Sequence, residues 1–78
     1  ISPGEGLTGI AAETRQPVVS GDVRNDPRYL MTMDAVRSEM AIPMVAGRKL
    51  VGVIDLQSIE PNAFSADDRA LMVLLASR

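Results

Sequence analysis

"SEMAIPMVAGRKLVGVIDLQSI", residues 38–59, decides the fold. Met40, Ile42, Met44 and Ala46 recur at every second position, which puts them on one face of a strand. After "AGRK", Leu50, Gly52, Ile54 and Leu56 alternate with Val51, Val53, Asp55 and Gln57. Gly47 supplies the backbone freedom of a tight hairpin turn. The stretch therefore predicts two antiparallel strands. Pro43 has no N–H for a ladder, so it predicts an edge or an irregularity at that point. Most positions in both strands are apolar, which predicts a sheet covered at least in part on both faces.

Toward the C-terminus, "FSADDRALMVLLASR" reads as a helix. Ser65 with Asp68 three residues later matches a capping pattern, and Asp67 and Asp68 suit the positive end of the helix dipole. Leu71, Leu74, Leu75 and Arg78 share one stripe, and Met72 and Val73 widen it. A helix this apolar should pack on the sheet and also against another helix or a second subunit. Leu71, Met72, Leu74 and Leu75 are the candidate dimer interface.

Toward the N-terminus, "GEGLTGIAAETRQP" predicts a short helix near residues 7–15, closed by Pro17. Gly4, Gly6 and Gly9 spell GxGxxG. No strand precedes them and the Gly-Lys-Ser/Thr ending of a Walker loop is absent, so the glycines read as a structural turn. "PVVSGDV" is β-prone. In "GDVRNDPRYL", two aspartates, two arginines and an asparagine crowd into ten positions. Asp26 is expected to cap a helix whose first residue is Pro27, with Asn25 favouring a turn. "LMTMDAV" is expected to continue as a helix or an irregular crossing.

Composition narrows the chemistry. The 78 residues contain neither cysteine nor histidine. A thiol nucleophile and a Ser-His-Asp triad are therefore impossible within them, and zinc loses its commonest ligands. The net charge of -2, with one Tyr and one Phe, offers no field for nucleic acid and little for bases to stack on. No apolar run approaches the roughly 20 residues of a membrane helix. The chain starts at Ile1 and stops at Arg78 inside an apolar run, and so reads as a piece of a longer protein. The lack of cysteine fits a cytoplasmic one.

In this order, "GEGLTGIAAETRQPVV", "DVRNDPRY", "VRSEMAIPMVAGRKLVGVIDLQS" and "AFSADDRALMVLLASR" together resemble a GAF domain. The resemblance covers residues 1–78 as one domain truncated at its N-terminus. It implies an α+β, PAS-related fold: an antiparallel sheet flanked by helices on both sides. The N-terminal helix and first one or two strands would be missing. It also implies a small-molecule pocket on one side of the sheet and a dimer contact on the other. Tyr29 would cover a planar ligand, Asp22 or Asp26 would accept its hydrogen bonds, and Ser38, Ala41 and Pro43 would lie near the pocket floor. Asp55 would point at the pocket or be satisfied by a neighbour. Arg28 or Arg37 would serve in an ion pair.

Departures from the family narrow the ligand. Bilin attachment and free methionine sulfoxide reductase activity both use cysteine, which this chain lacks, so both are expected to be excluded. The cyclic-nucleotide motif Asn-Lys-Phe-Asp-Glu is matched only at Phe64 and Asp68, with Arg69 in place of the final glutamate. A cyclic nucleotide or another small metabolite is the kind of ligand that the resemblance allows. The expected function is a non-catalytic sensory or regulatory domain of a bacterial multidomain signalling protein. It would relay ligand binding to a linked kinase, cyclase or phosphatase. A ligand-free dimerisation module is the alternative. Acid/base chemistry by Asp22, Asp26 or Asp55 is set aside because no nucleophile, metal cluster or partner base accompanies them.

Overall fold

The computed structural model describes residues 6–29 and 35–76. In chain order these form helix α1 (Gly6–Thr14), strand β1 (Val18–Ser20), a 3-10 turn (Val23–Asn25), strands β2 (Ser38–Ala46) and β3 (Lys49–Ser58), and helix α2 (Ala66–Ala76). Gly4, most of the expected crossing over 30–36 and Arg78 lie outside the described residues.

The predicted hairpin turns at Gly47, whose φ of 63° a side chain would resist. β2 and β3 pair antiparallel from Ala46↔Lys49 to Ser38↔Ser58. Between them lies an irregularity: Met44 pairs with Gly52, but Val45 pairs with Leu50. Val51 is the extra residue, and one extra residue shifts the side-chain phase. This corrects the expected alternation, because Leu50 does not continue the face of Gly52, Ile54 and Leu56. β1 pairs with the other side of β2, from Val18↔Ala41 to Ser20↔Glu39. The sheet order is β1-β2-β3. Pro43 lies beyond the span paired with β1, so the proline sits where β2 has a described neighbour on one side only.

The period of two divides the core between two faces. On one, Leu7 and Ala11 of α1 pack with Val18, Val23, Val36 and Ala41, joined by Ile10, Tyr29 and Val53. On the other, Met40, Ile42 and Ala76 pack with Val19, Met44, Ile54, Leu56, Phe64 and Met72. Leu7 and Ala11 are four apart, so α1 presents one narrow stripe to the sheet. α1 stops where Arg15 takes φ 57° and its N–H bonds Ala11 O at 2.9 Å, a left-handed cap that Pro17 then seals.

α2 starts with the reciprocal box read from the sequence. Asp68 N–H donates to Ser65 Oγ at 3.1 Å, and Ser65 N–H donates to Asp68 Oδ2 at 2.9 Å. Met72 and Ala76 carry its contact with the sheet. Leu71, Leu74 and Leu75 are 55%, 72% and 64% exposed. Among the described residues no helix is long and apolar enough to cross a membrane.

The link from β3 to α2 is pinned at two places. Ser38 Oγ donates to Glu60 O at 2.6 Å and accepts from Ala63 N–H at 3.3 Å. Asn62 N–H donates to Gly21 O at 2.9 Å. Gly21 is needed for that approach, because a Cβ there would stand 2.1 Å from Asn62 Oδ1 and 3.1 Å from Asn62 Cγ. Gly21→Ala should therefore destabilise the domain by about 1–3 kcal/mol, the usual cost of forcing atoms into a packed contact. Adding Asn62→Gly, which removes the obstructing side chain and accepts the φ of 54° at that position, should recover most of it. Denaturant titration of the single and double variants checks this; a double variant no more stable than G21A refutes it. Ser65→Ala should cost about 1 kcal/mol by the same measurement.

Candidate functional site

β2 alternates its side chains, so Glu39 and Ala41 share the α1 face. The register sets Gln57 opposite Glu39 and Asp55 opposite Ala41. On the β1 side, Ser20 stands opposite Glu39. Glu39 is only 4% exposed, whereas Asp55 and Gln57 are open to solvent. Gln57 Nε2 donates to Asp55 Oδ2 at 3.3 Å.

Burial raises the Glu39 carboxyl first, and the hydrogen bond with Asp55 and the charge of Asp55 raise it further. The Gln57 amide pulls the other way, and the outcome is a pKa of about 8. Glu39 therefore keeps its proton at neutral pH and lies beside the solvent-exposed side chain of Asp55. The arrangement is a proton donor held behind a solvent-facing acceptor. Among the described residues no group of three or more acidic, His or Cys side chains could hold a metal.

The charged loop does different work. Asp22 caps the 3-10 turn, its Oδ1 accepting from Arg24 N–H at 3.3 Å and its Oδ2 from Asn25 Nδ2 at 2.7 Å, while Asp26 caps the next turn, its Oδ1 accepting from Arg28 N–H at 2.9 Å. No helix begins at Pro27, which corrects that expectation. Asp26 instead closes the 3-10 turn, its N–H donating to Val23 O at 3.2 Å. Its carboxylate takes Arg28 in a fork, Oδ1 from Nε at 2.9 Å and Oδ2 from Nη2 at 2.6 Å. That hydrogen-bonded guanidinium holds the Asp26 carboxyl well below the usual carboxylate range, despite burial. Asp26 is thus a fixed anion matched to Arg28, the ion pair anticipated for that arginine.

The other expected site residues divide. Ala41 and Asp55 are brought together as register partners, and Tyr29 packs on the same face. The Tyr29 hydroxyl is buried with no hydrogen-bond partner among the described residues. Ser38 projects to the opposite face from Ala41 and is committed to Glu60 and Ala63, so it does not share a floor with Ala41. The reason is the odd spacing between them. Pro43 lines a separate cleft of about 310 Å³ with Arg15, Gln16 and Pro17. Met72 packs inward with the sheet cluster, unlike the three exposed leucines. Glu39 went unread in the sequence, although counting back by two from Ala41 puts it on the same face.

The sequence profile of the GAF domain matches residues 1–78. The chain belongs to the GAF domain family. It is 28% identical over 74 residues to the free methionine-R-sulfoxide reductase of Saccharomyces cerevisiae, spanning 94% of this chain and 41% of that one. It superposes on the free methionine-R-sulfoxide reductase of Neisseria meningitidis in complex with its substrate, with a TM-score of 0.92 and 30% identity, over 97% of this chain and 46% of that one. A protein described as a GAF sensor from Burkholderia vietnamiensis gives 0.89 and 38%, over 97% and 49%. The chain thus spans about half the length of these relatives. The α+β GAF fold with helices on both faces of an antiparallel sheet is the one expected.

The expected function requires correction. The yeast and Neisseria relatives are enzymes, which overturns the expectation of a non-catalytic sensory or relay domain and of no enzymatic role. The exclusion of reductase activity rested on the missing cysteine. That absence excludes a thiol only within residues 1–78.

Stability should report the state of Glu39. Its folded pKa lies above the ordinary value of 4.5, so the folded state binds more protons between the two values. The stabilisation linked to that proton is complete below about pH 4.5 and is lost as pH rises through about 8. Glu39→Gln mimics the protonated form. The melting temperature of Glu39→Gln relative to the original protein should therefore rise steadily from pH 5 to pH 8.5; a constant difference would show that Glu39 does not titrate in this range.

Proposed function

We propose that the protein carrying this GAF domain reduces a free amino-acid sulfoxide of the methionine-R-sulfoxide kind, with Glu39 as the acid. One observation carries this reading. A buried, protonated carboxyl stands beside an exposed carboxylate, in a fold 30% identical to a substrate-bound reductase of that class.

The chemistry follows from the proton. Sulfoxide oxygen is a poor leaving group until it is protonated. As a thiolate sulfur attacks the sulfoxide sulfur, Glu39 delivers its proton to the oxygen. A second thiol then attacks the first, a disulfide forms, and the oxygen leaves as water with the thioether as product. Two thiols are oxidised and one sulfoxide is reduced. The residues here supply binding and the proton, and the two thiols come from outside them. Asp55 keeps Glu39 protonated and, with Gln57, gives a ligand ammonium an anionic neighbour. A cytoplasmic setting would suit this chemistry, because that compartment keeps thiols reduced.

The test is dithiol-dependent reduction of L-methionine-R-sulfoxide by the full-length protein. Glu39→Gln should lower kcat by at least about 100-fold, the usual size of a general-acid effect. The rate should fall as pH rises through about 8. Asp55→Asn removes the charge that raises Glu39, so the falling limb should move to lower pH. No turnover with excess dithiol, or an unchanged kcat in Glu39→Gln, sinks the proposal.

The exposed stripe on α2 supports a second reading, that two copies pair through Leu71, Leu74 and Leu75. Leu74→Glu should then halve the mass seen in sedimentation, while a change in neither mass nor stability argues against it.

A further inference from the structure

β1 pairs with β2 only as far as Val18↔Ala41. Pro43, two residues on, has no N–H for a ladder, and from Ile42 onward β2 keeps a described neighbour on the β3 side alone. Before Val18 the chain bends away through Pro17 into the left-handed turn at Arg15. The gap between that departing chain and the strand edge is the cleft of about 310 Å³. It has roughly twice the ~150 Å³ of a cavity that takes a benzene ring. Pro17, Pro43 and Val45 form apolar walls, closed by Ile42 and by Val73 of α2. Arg15 and Gln16 supply the polar lining. Neither Glu39 nor Asp55 lines it, so this cleft is separate from the site above.

The Arg15 guanidinium is held in place. Its Nη1 donates to Arg48 O at 2.5 Å, a tie across 33 residues. The side chain makes no other hydrogen bond and no ion pair among the described residues. A guanidinium carries five N–H donors, so most of them stay open. Arg48 and Lys49 at the hairpin tip are likewise without an ion pair among the described residues. No acidic side chain among the described residues lines the cleft. The last carbonyls of α1 bring about half a negative charge to this end, which the three cations outweigh.

We propose that this cleft is a second ligand site, which takes a small organic acid with its carboxylate on Arg15 and its hydrocarbon body between Pro43 and Val73. A guanidinium fork matches a carboxylate in two-point geometry. The Arg48 carbonyl already fixes that fork, so binding need not order it. The Gln16 amide stands beside Arg15 as a further donor. Pro43 favours a compact ligand over an added peptide strand, which pairs poorly across a proline. The site does not depend on the sulfoxide reading, and either can fail without the other.

The experiment titrates benzoate, phenylacetate and hexanoate into the full-length protein by calorimetry, each beside its neutral amide. At least one acid should bind with a Kd below about 1 mM. It should bind at least about tenfold more tightly than its amide, the usual margin of a hydrogen bond to a charged group. Arg15→Gln should bind that acid and its amide equally, and Arg15→Lys should keep part of the preference. The ratio of two affinities in one variant does not depend on how much of that variant is folded, so a merely structural role would leave it unchanged. Val45→Phe, which fills the cleft, should weaken acid and amide alike. Glu39→Gln should leave the affinity for the acid unchanged, which separates this cleft from the Glu39 face. The proposal is overturned if no acid binds, if the preference survives in Arg15→Gln, or if binding is lost in Glu39→Gln.

Discussion

The structure depends on a constraint carried by β2. It is the only described strand with neighbours on both sides, and its side chains must serve two faces in strict alternation. Met40 and Ile42 fill the α2 side, and Ala41 lies under α1. Ser38 and Glu39 are adjacent in sequence, yet one pins the link to α2 and the other enters the site. A slip of one residue would bury Glu39 among methionines and force Ile42 into the space of Ala41 under α1. The double hydrogen bonding over Glu39–Ala41 makes such a slip costly.

That same pairing creates the chemistry. Glu39 lies at the doubly paired part of the sheet, where backbone crowds it and water is scarce. Burial costs the charged form of a carboxyl far more than the neutral form, so Glu39 keeps a proton. Asp55 sits one diagonal step away, open to solvent, and strengthens the effect through its charge. Depth raises the Glu39 carboxyl first, and Asp55 beside it raises it further. The loop from Asp22 to Tyr29 shows the opposite solution. There Asp26 meets a guanidinium in a two-point fork and stays an anion.

The membership of the GAF family and the two kinds of relative, reductase and sensor, fit one physical picture. The fold offers a sheet face beneath a short helix and a loop, and the polar residues placed on that face decide the use. In this chain the face carries a buried, protonated acid beside a carboxylate and an amide. The fold could equally hold a passive sensor; it is the named side chains that argue for proton transfer.

The hairpin, the covered sheet, the capping box at Ser65 and Asp68, and the helix ended by Pro17 were all legible from the sequence, because each rests on residues a few positions apart. The absence of a thiol within residues 1–78 was legible too, though it reached no further than those residues. Tertiary structure decided the rest. The bulge at Val51 reset the phase of Leu50, and Asp26 capped a short turn and paired with Arg28 where Pro27 suggested a helix. Glu39 became an acid only once β1 and β3 closed around it and brought Asp55 alongside from 16 residues away. Periodicity reports which face a side chain takes. How deeply it is buried, and which charge stands beside it, depends on strands that meet only in the folded chain.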